Sequence, residues 1–270
     1  MFFKKKEKDN LIPSKKQGCL KNLIIGIIIL VILGVAGVFA VRNALGMYGV
    51  SFTRLKDYAE WLSEPVAEAD LTNNAIRDSD AVSLKNKAIQ AGFAIYNAEG
   101  NVNLNLTSYS LNDTLVLQDY ELGALINESA KGEDNPVYKL LELSIVENTD
   151  GRFTITTVVK FNLSGVKGQL DKFADKIPDS IYITSIGQLS KVGSRFQTSD
   201  NEIFINKLSN DKNKELVDLI TKIQDDGDDD IKSVKDINNY MVAEILTKIN
   251  QKTEGANATL GNHTFSLIKG

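Results

Sequence analysis

The sequence has very little of the chemistry on which many enzymes and metalloproteins depend. Among its 270 residues there is one cysteine, Cys19, and one histidine, His263. A zinc site built from cysteine and histidine needs more ligands than these two. No disulfide can form within the chain, so its stability must come from a hydrophobic core. A Ser-His-Asp triad would have to use His263.

Net charge is also low, at -4, but this average conceals two oppositely charged zones. Residues 1–22 carry seven lysines against two acidic residues, a net of +5, which leaves -9 for residues 23–270. Between them, residues 23–41 read LIIGIIILVILGVAGVFAV without a charge. A helix of that length spans roughly 28 Å, close to the ~30 Å hydrocarbon core of a bilayer. Residues 23–41 are therefore predicted to form a transmembrane helix.

The lysine cluster predicts the orientation of this span. Basic residues next to a span stay on the cytoplasmic side, so the C-terminal portion is expected to be extracellular. A cleaved signal peptide is the alternative, because small residues surround Phe39. The apolar run is longer than the 7–15 residues that are usual for the hydrophobic region of a signal peptide, which favours the membrane anchor. Cys19 precedes the run, whereas a lipoprotein signal places its cysteine after it. Cys19 and His263 are then on opposite sides of the membrane, which excludes a Cys-His nucleophile pair.

Composition and pattern predict four regions: a cytoplasmic basic segment (1–22), the span (23–41), a helical membrane-proximal region with a linker (42–100), and an extracytoplasmic α+β domain (101–270). The abundance of Lys, Asn and Ile is typical of an AT-rich bacterial genome. We expect a first helix capped by Thr53. In a second helix Val82, Ile89 and Phe93 share one face with Lys85.

The strongest secondary-structure signal is a β-hairpin. Leu141, Leu143 and Ile145 alternate with polar residues, and Asp150-Gly151 supplies the positive φ of a tight turn. The return strand places apolar side chains on one face and polar ones on the other, which is typical of an antiparallel sheet. Further strands are predicted at 102–106, 181–189, 195–198, 202–206 and 260–268, and helices at 119–132, 216–223 and 237–249.

Short motifs do not predict catalysis. Residues 164–167 match S-x-x-K and residues 199–201 match S-D-N, as in penicillin-binding enzymes. The third element, K-T-G, is absent, because Glu254 follows Lys252-Thr253. The acidic run 225–230 has its glycine wrongly placed for an EF-hand and is interpreted as a solvated linker. Gly-rich phosphate loops and basic-aromatic nucleic-acid surfaces are absent from the sequence. We therefore expect no catalytic residue, no metal, no cofactor and no nucleic-acid partner.

The order of elements over residues 100–225 resembles a known family. A strand leads to the helix Asp119-Tyr120-Glu121-Leu122, the hairpin 138–163 follows, and Glu202-Ile203-Phe204-Ile205-Asn206 precedes another helix. This pattern resembles small membrane-anchored extracytoplasmic domains of Gram-positive bacteria, which are similar to the tubular lipid-binding (TULIP-like) superfamily. The resemblance implies a curved antiparallel sheet around a long helix, with an apolar groove for lipid tails. The groove would be lined by Phe153, Ile155, Val159, Phe161 and Ile183. The alternative is that this face packs into a closed core, since alternation reports burial alone.

Three functional hypotheses follow from these features. The first is a non-catalytic envelope protein, anchored in the bilayer by residues 23–41, whose outer domain binds a lipid or another apolar ligand. The second is a module that binds a protein partner of an envelope or secretion assembly. The third is a cell-wall hydrolase.

Overall fold

The computed structural model describes residues 51–72, 74–92, 109–130, 138–164, 178–225 and 236–270. The predicted basic segment, span and strand 102–106 lie outside these ranges, as does the predicted domain boundary at residue 100. Within them, no helix is both long and apolar enough to cross a membrane. The described residues form helices and two antiparallel sheets, so the predicted α+β class is confirmed.

The helices are α1 (Phe52–Ser63), α2 (Asp78–Gln90), α3 (Asp119–Ala130), α4 (Asn210–Asp225) and α5 (Glu244–Lys252). A short 3₁₀ helix covers Glu68–Asp70, and a π-helix, Asn239–Ala243, leads directly into α5. The strands are β1 (Tyr109–Ser110), β2 (Leu115–Gln118), β3 (Tyr138–Glu147), β4 (Phe153–Asn162), β5 (Ser180–Val192), β6 (Arg195–Ile205), β7 (Thr253–Glu254), β8 (Ala256–Gly261) and β9 (Thr264–Lys269).

The central sheet has the order β3-β4-β5-β6, with every neighbouring pair antiparallel. The predicted hairpin β3–β4 is confirmed, and Gly151 in its turn has a φ of 77°. The predicted short strands 195–198 and 202–206 are one continuous strand, β6, and the register shift between Ile186 and Gln188 accommodates the irregularity. Asp200 in β6 has a positive φ of 51°. This irregular position lies between the two strands that the sequence predicted at 195–198 and 202–206.

The second sheet has the order β2-β9-β8. The prediction of a single closing strand over 260–268 is wrong, because β8 and β9 form a hairpin that turns at Asn262 and His263. His263 has a φ of 57°. Asn-His is a weak turn signal compared with Asp-Gly, so the reversal was not visible in the sequence. Strands β1 and β7 form a separate parallel pair.

Two details of the N-terminal helices differ from the predictions. The cap of α1 is Ser51, whose Oγ accepts from the Arg54 N–H at 3.2 Å, and not Thr53. The buried face of α2 consists of Leu84 and Ala88, while Val82 and Ile89 are 59% and 57% exposed. Ser83 and Lys87, beside this face, hydrogen-bond the buried Glu121 of α3, so the side of α2 that carries Leu84 and Ala88 is turned toward α3. Phe93 lies outside the described residues.

A continuous hydrophobic core joins the two sheets to the helices. Helix α3 packs against β3, and α4 and α5 pack against β6. The face of the central sheet that carries Ile155, Val159 and Ile183 points into this core and is called the core face below. On the second face, Leu141, Val158 and Tyr182 form a smaller buried cluster with Val66 and Leu71.

Candidate functional site

The five predicted groove residues lie on or beside the core face of the central sheet. Ile155, Val159, Phe161 and Ile183 are at most 1% exposed. Phe153, at the start of β4, is half-buried and packs against the same core. Val159 lies opposite Ile183 on neighbouring strands. Because these side chains are already covered by protein, their burial favours the closed-core interpretation over an open groove.

A polar cluster interrupts the core face where β4, β5 and β6 meet. Thr157 Oγ1 donates a hydrogen bond to Asn238 Oδ1 at 2.5 Å, and Asn238 Nδ2 donates to Asn201 Oδ1 at 3.4 Å. Thr157 and Asn238 are fully buried. Ser185, opposite Thr157, is also fully buried, and its Oγ has no hydrogen-bond partner among the described atoms. The hydrogen bonds of Asn238 to Thr157 and Asn201 hold the segment that begins at residue 236 against the sheet, because breaking them would leave buried polar groups without partners.

One glycine makes room for this cluster. A Cβ added to Gly187 would lie 2.0 Å from Asn201 Oδ1 and 3.0 Å from the Ser199 carbonyl oxygen. The first distance is too short for any real contact, so the asparagine side chain occupies the space that only glycine leaves. Sequence reasoning missed this cluster, because Thr157 and Ser185 are ordinary residues in strands.

His263 is paired with a buried carboxylate. Its Nδ1 lies 2.7 Å from Asp119 Oδ2, and Asp119 is 1% exposed. The Asp119 N–H donates to the His263 carbonyl at 3.0 Å, and the His263 N–H donates to the Ile145 carbonyl at 2.7 Å. These bonds connect the β8–β9 turn to the start of α3 and to the edge of β3. Among the described residues, no hydroxyl is hydrogen-bonded to the imidazole, so the arrangement lacks the nucleophile of a triad.

Glu121 is a second buried carboxylate, and it connects α3 to α2. It is fully buried and accepts hydrogen bonds from Ser83 Oγ at 2.5 Å, Lys87 Nζ at 2.7 Å and the Gln118 N–H at 2.8 Å. Because Lys87 and two further donors satisfy its oxygens, the carboxyl group of Glu121 is accommodated in the core. These contacts give it a structural role.

Of the two penicillin-binding-like motifs, the serines Ser164 and Ser199 are both described, and they lie toward opposite ends of the central sheet. Ser164 follows β4 and its Oγ hydrogen-bonds Asn162, while the matching Lys167 lies outside the described residues. Ser199 is exposed on β6 and its Oγ contacts the neighbouring Asp200 at 3.3 Å. The acidic run begins at the last residue of α4, and the rest of it falls in a part of the chain that is not described.

Helix α1 is attached to α4 by an ion pair and an aromatic contact. Arg54 Nε lies 2.7 Å from Glu215 Oε1, and the Tyr58 hydroxyl donates to the same oxygen at 2.6 Å. The Arg54 guanidinium and Lys212 Nζ both lie over the Trp61 ring, at 5.7 and 5.1 Å from its centroid. The pKa of the Tyr58 hydroxyl is raised mainly by burial, and the hydrogen bond to Glu215 raises it further. The helix nearest the predicted span is therefore attached to the body of the domain.

The chain between α1 and α2 crosses the second face of the central sheet as a strap, defined as residues 64–72 and 74–77. Within it, Glu68 pairs with Lys160 and Asp70 pairs with Lys207, the latter at 2.9 Å. The hydrogen bond from Lys160 to Glu68 raises the pKa of that lysine. At its end, the Ile76 N–H donates to the Leu141 carbonyl at 2.7 Å. This part of the membrane-proximal region predicted over 42–100 thus packs against the sheet.

Both edges of the central sheet are occupied by side-chain amides. On β3, Asn127 accepts from the Leu140 N–H and donates to the Leu140 carbonyl, at 2.8 and 2.7 Å. On β6, Asn213 accepts from the Ile205 N–H at 2.8 Å and donates to the Ile203 carbonyl at 2.6 Å. Each amide replaces a neighbouring strand at these positions, which protects the edges from pairing with another chain.

A surface pocket of about 380 Å³ lies between the start of β6 and helix α5. Thr247 is one of its lining residues, and its Oγ1 accepts from the Phe196 N–H at 2.7 Å and donates to the Phe196 carbonyl at 3.3 Å. Seven of the eight lining residues have polar or charged side chains, and the eighth is Phe196. The sequence did not predict it, because its two walls are about 50 residues apart in the chain.

The described residues contain no group of three or more His, Cys, Asp or Glu side chains arranged to hold a metal ion. Comparisons with protein-family models, with curated proteins and with solved structures found no match. The resemblance to the tubular lipid-binding superfamily therefore stays a prediction.

Proposed function

We propose that the chain is a single-pass membrane protein whose extracellular domain binds a protein partner beside the bilayer and performs no catalysis. The observation that carries this proposal is the burial of the core face. Ile155, Val159, Phe161 and Ile183 pack among other protein side chains, which supports a closed core over a lipid groove. The exterior of the domain is then the surface left for recognition.

The second face of the central sheet and the pocket beside α5 supply such exterior surface. Thr156, Thr184, Ile186 and Phe204 lie half-buried on the second face, outside the small cluster that the strap covers. A mixture of hydroxyl and large apolar side chains on a rigid sheet is compatible with protein recognition. Because α1 is attached to the body through Arg54 and Glu215, the predicted anchor would hold this surface close to the membrane.

Site-specific photo-crosslinking in cells tests the proposal. A photoreactive phenylalanine analogue is placed at Phe204, at Gln251 on the pocket rim, and at Phe153 beside the core face. We expect a discrete protein adduct at Phe204 or Gln251 and none at the exposed hairpin residue Val192, which serves as the control. Lipid adducts at Phe153, with no protein adduct at the two exterior positions, would instead support the lipid-binding hypothesis.

A further inference from the structure

The pocket between β6 and α5 presents more hydrogen-bond donors than acceptors to a ligand. Its rim carries the cation Arg195 and the carboxamides of Gln197, Asn239 and Gln251, together with Lys248 and Glu244, which already have partners of their own. Two of the acceptor oxygens among the lining residues are already used. Asn239 Oδ1 accepts from the Thr198 N–H at 3.4 Å, and the Thr247 hydroxyl is occupied by the backbone of Phe196.

Among these donors, Arg195 combines a positive charge with exposure to solvent. It is exposed at the start of β6 and forms no ion pair with any carboxylate in the described part of the chain. A guanidinium presents its N–H groups as a planar fork that matches the two oxygens of a carboxylate. An exposed arginine beside several amides is therefore suited to an acidic ligand.

The opposite wall is formed by α5 together with one residue of the π-helix that precedes it. The π-helix Asn239–Ala243 begins with one rim residue, and Glu244, another rim residue, follows it directly. Such wide turns are rare and occur frequently at functional sites, where they redirect side chains. This backbone feature is independent of the charge of the pocket, and both features are found at the same place.

We propose that this pocket binds a carboxylate group. Its volume of about 380 Å³ is near the lower limit for ligand pockets, roughly 300–1,000 Å³, and fits one acidic side chain or a short acidic segment. The assignment of that carboxylate to a protein partner rests on the function proposed above. The preference of the pocket for a carboxylate over a neutral amide is independent of that function, because it follows from the hydrogen-bond donors of the pocket.

The experiment uses the full-length protein, labelled with ¹⁵N and held in detergent micelles. N-acetyl-glutamic acid is titrated in parallel with N-acetyl-glutamine, its neutral counterpart of the same shape. We expect the acid to shift the backbone signals of residues 195–197 and 244–251 and to bind at least about tenfold more tightly than the amide. Arg195→Gln should weaken binding of the acid by about tenfold. Lys139→Gln, which removes an exposed lysine on β3, should leave it unchanged.

A third titration, with an acetylated tri-glutamate peptide, separates the two sources of the carboxylate. Tighter binding of the peptide than of the single amino acid supports a protein partner. Equal affinities for the peptide and the single amino acid assign the pocket to small acids. The carboxylate site is then confirmed, but it no longer supports the proposed protein partner. The inference is overturned if the acid and the amide bind alike, if neither binds, or if Arg195→Gln binds as tightly as the unchanged protein.

Discussion

Asn127 and Leu140 are joined by two hydrogen bonds that run in opposite directions, from the Leu140 N–H to Oδ1 at 2.8 Å and from Nδ2 to the Leu140 carbonyl at 2.7 Å. Leu140 is fully buried at the edge of the central sheet. One side chain thus satisfies both backbone groups of a residue that has no neighbouring strand on that side at this position. Without it, both groups would be buried and unpaired.

Replacing this amide should be costly for stability. Asn127→Leu keeps the size of the side chain but leaves two buried backbone groups without partners, and we expect a loss of about 2–4 kcal/mol in the free energy of unfolding. Urea denaturation followed by the fluorescence of Trp61 measures the change. Asn86→Leu, at an exposed position of α2, is the matched control and should change stability by less than about 0.5 kcal/mol. Equal effects of the two substitutions would contradict the role assigned to Asn127.

The buried Tyr58 hydroxyl should make stability depend on pH in the alkaline range. Its pKa in the folded protein is raised above the ordinary value of about 10, by burial and by the hydrogen bond to Glu215. The folded state therefore retains this proton where the unfolded chain releases it. The contribution of Tyr58 is complete below about pH 10 and decreases as the pH rises above that value.

The measurement is the free energy of unfolding at several pH values from 8 to 11, compared between the unchanged protein and Tyr58→Phe. Phenylalanine cannot titrate, so the variant should lose less stability across this range. Arg54, Asp57 and Glu215 are present in both proteins, so their own titration contributes similarly to the two curves. Parallel curves for the two proteins would show that Tyr58 does not contribute.

Two phenylalanines of β4 should respond differently to truncation. Phe161 is 1% exposed within the continuous core, so Phe161→Ala should cost about 3–5 kcal/mol. Phe153 is half-buried, and Phe153→Ala should cost clearly less. Chemical denaturation of both variants tests the closed core directly. If Phe161 lined an open groove, its truncation would have a small effect on stability and a large effect on lipid retention.

Adding one methyl group at Gly187 should disturb the polar cluster. Gly187→Ala places a Cβ 2.0 Å from Asn201 Oδ1, and we expect a loss of about 1–3 kcal/mol through overpacking. In the double variant with Asn201→Ala, the clashing oxygen is absent. The combined loss should then be smaller than the sum of the two single losses, by about 0.5–1.5 kcal/mol. Strict additivity in thermal or urea unfolding would show that the two residues do not compete for space.

The sequence predicted the central hairpin because its signals are local and agree with one another. Alternation in β3 and β4 is regular, and Asp150-Gly151 is a strong turn signal. The β8–β9 hairpin was missed because its turn depends on His263 in a left-handed conformation that Asp119 stabilises from 144 residues away. Such long-range support has no local signature in the sequence.

The candidate sites were less predictable than the fold, for a similar reason. Thr157, Asn201 and Asn238 are unremarkable polar residues until folding places them together in the core. The pocket depends on a π-helix, which has no recognised sequence pattern, and on the pairing of α5 with β6. Alternation of apolar residues predicted which face of β4 is buried, but it could not distinguish burial by protein from burial by a lipid.

If residues 23–41 span the membrane as predicted, the attachment of α1 to α4 would limit how far the domain can extend from the bilayer. Only nine residues, 42–50, separate the predicted span from the residue that caps α1. Even fully stretched, such a tether reaches only about 30 Å. Because Arg54 and Glu215 fasten the next helix to the body, unwinding cannot lengthen this tether without breaking that pair. The domain would therefore encounter other membrane proteins, and polymers in the outer layers of the wall would stay beyond its reach.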